Sequence, residues 1–218
     1  MKAFHLISSV ALSTTLAIAA APTMAADPFS GFYVSGGLGQ KSSNIEQTVT
    51  NAGTSASVKF GDTSFAGQFS GGYNFALDGG FRVGVGAFVD IGEGKSGGAT
   101  ATIAGLTATY ALKETRHYGI SIEPGYAFTK DTVGYAKLMY NWIKGEVTLS
   151  GATTGSGTNN FGAFGYGLGV KSVIANNVYA LGEWQQTQYN TASFASGAAT
   201  VSYKPNQSIG LVGLGMNF

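Results

Sequence analysis

His117, Ser121 and Glu123 fall within one short segment and are the side-chain types that, brought together, activate a nucleophile. A serine becomes reactive when a histidine takes its proton and a carboxylate orients the ring. Here the segment reads His-Tyr-Gly-Ile-Ser-Ile-Glu-Pro, an alternation at the strand period. An extended chain sets His117 and Ser121 on one face roughly 13 Å apart, beyond hydrogen-bond reach. Once the N-terminal segment carrying His5 is removed, His117 is the one histidine left, which excludes a histidine-built metal site. The absence of cysteine excludes disulfides, thiolate catalysis and Cys-ligated metals together, so no cofactor is expected. The Gly-x-Gly runs at 84–86 and 165–169 precede no helix start, so they make no phosphate cradle. What remains is a set of charged side chains set into apolar surroundings: Arg82, Asp90, Glu123, Lys137, Lys171 and Glu183, three basic and three acidic. Their chemistry is mutual neutralisation, because an enclosed charge is costly unless paired.

The segments that carry them share one pattern. From Phe81, the residues Phe81, Val83, Val85, Ala87, Val89 and Ile91 alternate with Arg82, Gly84, Gly86, Phe88 and Asp90. Tyr118, Ile120, Ile122, Pro124, Tyr126 and Phe128 oppose His117, Ser121 and Glu123, with Pro124 suited to a bulge or a strand end. Ala136, Leu138, Tyr140 and Trp142 oppose Tyr135, Lys137, Met139 and Asn141; Phe164, Tyr166, Leu168 and Val170 oppose Gly165, Gly167, Gly169 and Lys171; Trp184 opposes Glu183. Period two with one apolar face is a strand with two different environments. Further strands of this kind are predicted near 31–40, 65–75 and 208–218, eight in all. Short links at 76–80, 129–132 and 174–177 alternate with long Ser/Thr/Gly/Asn-rich connections, predicted as loops, at 41–62, 92–115, 145–160 and 190–202. Within the second, 99–103 and 106–110 predict a hairpin turning at Ala104-Gly105 that prolongs its strands.

Charged residues make up 11% of the 218-residue chain, against about 25% in ordinary soluble domains. That surface cannot face water alone, and it excludes a soluble lipocalin-like barrel, whose exterior must be charged. Neither a basic run nor a charge imbalance is present, so no nucleic-acid partner is expected. Lys2, the apolar stretch to Ala21 and the Pro22–Ala26 break predict a secretory signal peptide over 1–25, cleaved after Ala25 or alternatively after Ala26. The rest, 26–218, is one domain with 11 basic and 11 acidic residues. No later run is long and apolar enough for a membrane helix, so strands must cross the membrane, and only a closed sheet satisfies its backbone there.

The last residues, Ser208 to Phe218, place Gly210, Val212, Leu214 and Met216 on one face and stop on an aromatic ring. They resemble the closing strand of bacterial outer-membrane β-barrels, with Met216 where that family usually has an aromatic residue. The opening Gly-Phe-Tyr-Val-Ser-Gly-Gly-Leu-Gly from Gly31, and Gly165–Ser172 followed by Glu183-Trp184, resemble the OmpA, OmpX and opacity-type barrels over essentially the whole mature chain. The resemblance implies an all-β, eight-stranded antiparallel up-and-down transmembrane β-barrel in the bacterial outer membrane, with short periplasmic turns, long extracellular loops and no further soluble domain. Phe32, Tyr73, Phe75, Phe81, Tyr126, Phe128 and Phe218 then form the periplasmic aromatic girdle, and Tyr140, Trp142 and Phe164 the outer one. The expected partners are outer-membrane lipid, the barrel-assembly machinery through Phe218, and a host or matrix ligand at the loops. The function this implies is a non-enzymatic scaffold for envelope integrity and adhesion. Passage or binding of a small solute is the alternative, with inward Phe88, Met139, Leu181, Ile209 and Leu211 lining an apolar pocket. Nothing around His117 matches the motifs of outer-membrane lipid-modifying hydrolases, the remaining alternative.

Overall fold

The computed structural model describes residues 27–51, 53–91, 94–103, 106–151, 155–196 and 199–218. The predicted signal peptide with its expected Ala25 cleavage point and the predicted Ala104-Gly105 turn lie outside the described residues. Ten strands follow in order: β1 Gly31–Asn51, β2 Thr54–Ala76, β3 Phe81–Ile91, β4 Gly94–Ile103, β5 Leu106–Thr129, β6 Thr132–Gly151, β7 Gly155–Ala175, β8 Val178–Tyr189, β9 Ala192–Ser196 and β10 Ala199–Asn217. Eight of them, all but β4 and β9, pair antiparallel with their sequence neighbours, and β1 closes on β10 from Tyr33↔Asn217 upward. The result is a closed eight-stranded barrel. β3, at 11 residues, still matches the length needed to cross a bilayer obliquely, about 9–11 residues.

The segments predicted as loops at 41–62 and 145–160 are largely strand. β1 and β2 stay in register out to Asn51↔Thr54, and β6 and β7 out to Leu149↔Gly155. Ser, Asn and Gly signal loops when they cluster, but here threonine and serine pair across the strands: Thr48 with Ser57 at 2.8 Å and Thr50 with Ser55 at 2.9 Å. β4 pairs with β5 and β9 with β10, so the other two connections are also hairpins beyond the barrel. Pro124 sits neither at a bulge nor at a strand end. The β5–β6 ladder skips Glu123 and Pro124 and resumes at Gly125 in unchanged register, while Pro124 keeps Val83 as its partner on β3.

Short turns close the other end. The link from β2 to β3 is a single helical turn, Asp78–Gly80, whose Gly79 and Gly80 have φ of 71° and 83°, a region L residues avoid. Before β1, residues 27–30 turn back across the mouth: Ser30 N–H donates to Asp27 O at 2.9 Å. Phe29, 2% exposed, caps the interior against Tyr179 and Val133.

Sidedness is uniform. Leu168, Val212 and Leu214 are exposed, whereas their sequence neighbours Gly167, Leu211 and Gly215 turn inward. Inward glycine makes room for rings: a Cβ at Gly215 would enter the ring of Tyr179. Gly215→Leu is therefore expected to cost roughly 1–3 kcal/mol through overpacking, read as a lower temperature for loss of the compact gel mobility in detergent.

Candidate functional site in the barrel lumen

Alternation sends every second side chain of eight strands into one narrow space, and Arg82, Asp90, Glu123, Lys137, Lys171 and Glu183 all lie within it. Lys137 of β6, 2% exposed, donates to Glu183 of β8 at 2.9 Å and lies 3.9 Å from Glu123 of β5. Lys171 of β7 donates to the other Glu123 oxygen at 2.7 Å. Tyr135 donates its hydroxyl to Glu183 at 2.6 Å. The ammonium of Lys171 also lies 4.3 Å from the Tyr135 ring centroid and 4.9 Å from that of Tyr33, a geometry that favours a cation over the ring face. Four of the six charged residues singled out in the sequence, Glu123, Lys137, Lys171 and Glu183, thus meet in one cluster.

The other two go elsewhere. Arg82 pairs with Asp27, ahead of the first strand, and its guanidinium lies 5.5 Å from the Phe29 ring centroid. Asp90 pairs with His117 Nδ1 and accepts from Gln68 Nε2 at 2.8 Å. Gln68 and Gln185 join the two groups, with Gln185 Nε2 donating to Gln68 Oε1 at 2.9 Å. His117 Nε2 and Asn141 Oδ1 are 3.1 Å apart, and Asn141 donates on to Thr187 at 3.2 Å. The run Gln185–Gln188 reads in sequence as the polar upper end of its strand. Two of its members, Gln185 and Thr187, are in fact fully enclosed parts of this network. Asp27 and Gln68 were not singled out in the sequence, and His117 and Asn141 were placed on inward faces without partners, because alternation gives faces but no register to say which faces touch. Asn141, 0% exposed, bridges two partners, so Asn141→Leu is expected to cost about 1–3 kcal/mol, measured by urea unfolding in detergent.

The arrangement does not support hydrolysis. Both ring nitrogens of His117 are engaged, by Asp90 and Asn141, and Ser121 donates to Glu123 at 3.2 Å. No cluster of metal-ligating residues occurs among the described residues. The inward apolar residues fill space: Ile209 and Leu211 pack with Ala66, and Phe88 packs edge-on to His117 with its ring centroid 5.0 Å from Lys137 Nζ. Around the Lys171 cluster are two cavities of about 20 Å³ each, one beside Tyr33 and Gln68, the other beside Asn74 and Arg82.

On the outside, Phe32, Tyr73 and Phe75 form a chain of rings at 4.9 and 4.7 Å, and Phe81, Tyr126 and Phe128 another at 5.1 and 6.1 Å. Phe218 lies at the same end, its N–H donating to Phe32 O at 2.8 Å. At the opposite end Tyr140 touches Trp142 at 4.8 Å and Phe164 at 4.9 Å.

A closed sheet that is apolar outside, ringed at both ends and ion-paired within is an integral β-barrel membrane protein. The chain belongs to the outer membrane protein beta-barrel domain family, which it matches over residues 11–218. It resides in the bacterial outer membrane. Among solved structures it is similar to the outer membrane protein OprG from Pseudomonas aeruginosa, with a TM-score of 0.54, 10% identity, 88% of this chain and 98% of that one covered. It is similar also to Neisserial surface protein A (0.46, 16%, 87% and 98%). A third is Ail, the attachment invasion locus protein of Yersinia pestis, in complex with the heparin analogue sucrose octasulfate (0.38, 13%, 82% and 98%). No curated protein matches the chain in sequence.

Proposed function

We propose that this barrel is a non-enzymatic envelope scaffold that acts through its extracellular hairpins, in contact with a host or matrix surface. The observation that carries this reading is the filled lumen. Cavities of about 20 Å³ hold roughly one water each, and an eight-stranded barrel is just wide enough for its own side chains. Work done at a distance from the membrane then falls to the hairpins, where paired hydroxyls such as Ser193 and Ser202, 2.9 Å apart, offer a hydrogen-bonding surface of low charge.

Planar-bilayer recording tests the closed lumen: the scaffold predicts silence, and discrete reproducible openings would instead favour passage of a small solute. Adhesion is tested on whole cells, whose binding to matrix protein should fall when 44–61 is replaced by a tight turn. The outward Val212, Leu214 and Met216 followed by Phe218 support recognition of β10 by the barrel-assembly machinery, so deletion of Phe218 should lower the fraction of chain assembled in the outer membrane.

A further inference from the structure

Of the eight neighbouring strand pairs around the barrel, seven are linked in the chain by a turn or an outer hairpin; the eighth, β1 with β10, is the seam. It closes the longest loop in the protein, at the greatest entropic cost. Side chains add little across its lower half. Gly36, Gly37 and Gly39 of β1 face Leu214, Gly213 and Leu211 of β10, and Ser35 faces Gly215, so the cross-strand side-chain pairs that strengthen a sheet are few there. The upper half is longer and stays in register to Asn51↔Ala199, with β2 and β9 paired on either side of it. The weak end of the seam is therefore the periplasmic one.

Residues 27–30 lie across that end. Gly31, with φ of 107°, turns them away from β1, and a Cβ on Gly31 would come within 2.5 Å of Phe218 O. A local turn shapes the segment, since Phe29 N–H donates to Asp27 Oδ1 at 3.1 Å. The other Asp27 oxygen pairs with Arg82 of β3. Phe29 packs on Tyr179 of β8 and Val133 of β6, and Asn217 of β10, 4% exposed, donates to Pro28 O. The main chain of β10 is held at the same level, Asn217 N–H donating to Asn177 O at 2.9 Å and Phe218 N–H to Phe32 O at 2.8 Å. A segment continuous with β1 is thus bound to β10 and β8 on the far side of the seam, and to β6 and β3 across the mouth. We infer that 27–30 is a latch on the β1–β10 seam, which keeps the two strands from parting at the periplasmic end. Filling the mouth requires only the Phe29 ring, whereas latching requires the Arg82 and Asn217 anchors, which stand on strands other than β1 and must let go together. Once they are released, the lower seam is the first part of the folded barrel to open, because strand ends without side-chain anchors fray ahead of the rest.

The test is amide hydrogen–deuterium exchange on the barrel folded in detergent micelles, read at single residues by NMR. Amides of 33–39 and 211–217 report the lower seam, and those of 134–140 and 164–170 report the β6–β7 wall. Asp27→Asn keeps the side chain's size and removes the charge that holds Arg82. It should speed exchange at the seam about tenfold, equivalent to about 1.4 kcal/mol, and leave the β6–β7 amides as they were. If Asp27→Asn fails to reach the compact gel mobility, Asn217→Ser, whose side chain is too short for Pro28 O, carries the same expectation. Ser121→Ala, a lumen change that does not touch 27–30, should leave the ratio of the two rates at its parent value. Equal acceleration of seam and wall would make the segment a general stabiliser, and unchanged seam exchange would leave it a stopper alone; either result overturns the assignment.

Discussion

Replacing Lys137 with methionine should destabilise the barrel by about 3–5 kcal/mol, because it leaves buried carboxylates without their shared cation. Lys137 stands between Glu183 at 2.9 Å and Glu123 at 3.9 Å, and Gln68 takes a further contact at 3.4 Å. Lys171 still serves Glu123 in the variant, but Glu183 keeps only the Tyr135 hydroxyl and Gln185. Removing both charges is a different experiment. In Lys137→Met/Glu183→Gln no orphan charge remains, and Tyr135 can still donate to the amide oxygen, so the double variant should be more stable than the single one. Equilibrium urea unfolding in detergent micelles measures both. A single-variant cost below about 1 kcal/mol, the range of solvent-exposed pairs, would mean that water reaches the cluster.

Phe29→Ala should cost about 3–5 kcal/mol, the usual range for truncating a buried phenylalanine. Phe29 lies outside the barrel strands, yet it is the stopper of the short-turn end. Its ring is 6.0 Å from that of Tyr179, packs against Val133, and lies under the Arg82 guanidinium. The main chain of the same turn is held by Asn217, whose amide donates to Pro28 O. Truncation opens a path from the periplasm to Arg82 Nε, which has no hydrogen-bond partner among the described residues, and hydration of that group places the expected cost toward the lower end. Phe29→Leu should recover most of the loss; if it does not, the ring stacking and not the filled volume holds the plug. The same urea series decides.

The faces of the strands were readable from residue order alone, because period two fixes sidedness once one apolar face is seen. That is why Glu123, Lys137, Lys171 and Glu183 could be assigned to one interior before their contacts were visible. Their partners were not readable. Asp90 finds His117 and not a lysine because β3 and β5 meet in a register that turn lengths, not side-chain alternation, determine. Arg82 finds Asp27 in a segment with no strand pattern at all. The hairpin of 99–103 with 106–110 was foreseen from its β propensity, but the other three outer hairpins were read as loops because Ser, Asn and Gly mark turns in isolation, whereas Thr48 and Ser57 act as a cross-strand pair once β1 and β2 are aligned.

The most direct test of the central claim uses the absence of native cysteine, so that each introduced thiol is unique. Leu138→Cys, Leu168→Cys and Leu214→Cys place it on the exposed apolar face, and Ser70→Cys and Ser121→Cys place a near-isosteric thiol in the lumen. In proteoliposomes treated with a lipid-soluble pyrene maleimide, the three leucine positions should label and the two serine positions should stay unreactive until the barrel is unfolded. Labelling of Ser121→Cys in the folded protein, with Leu168→Cys and Leu214→Cys protected, would contradict the assignment of the charged face to a closed interior.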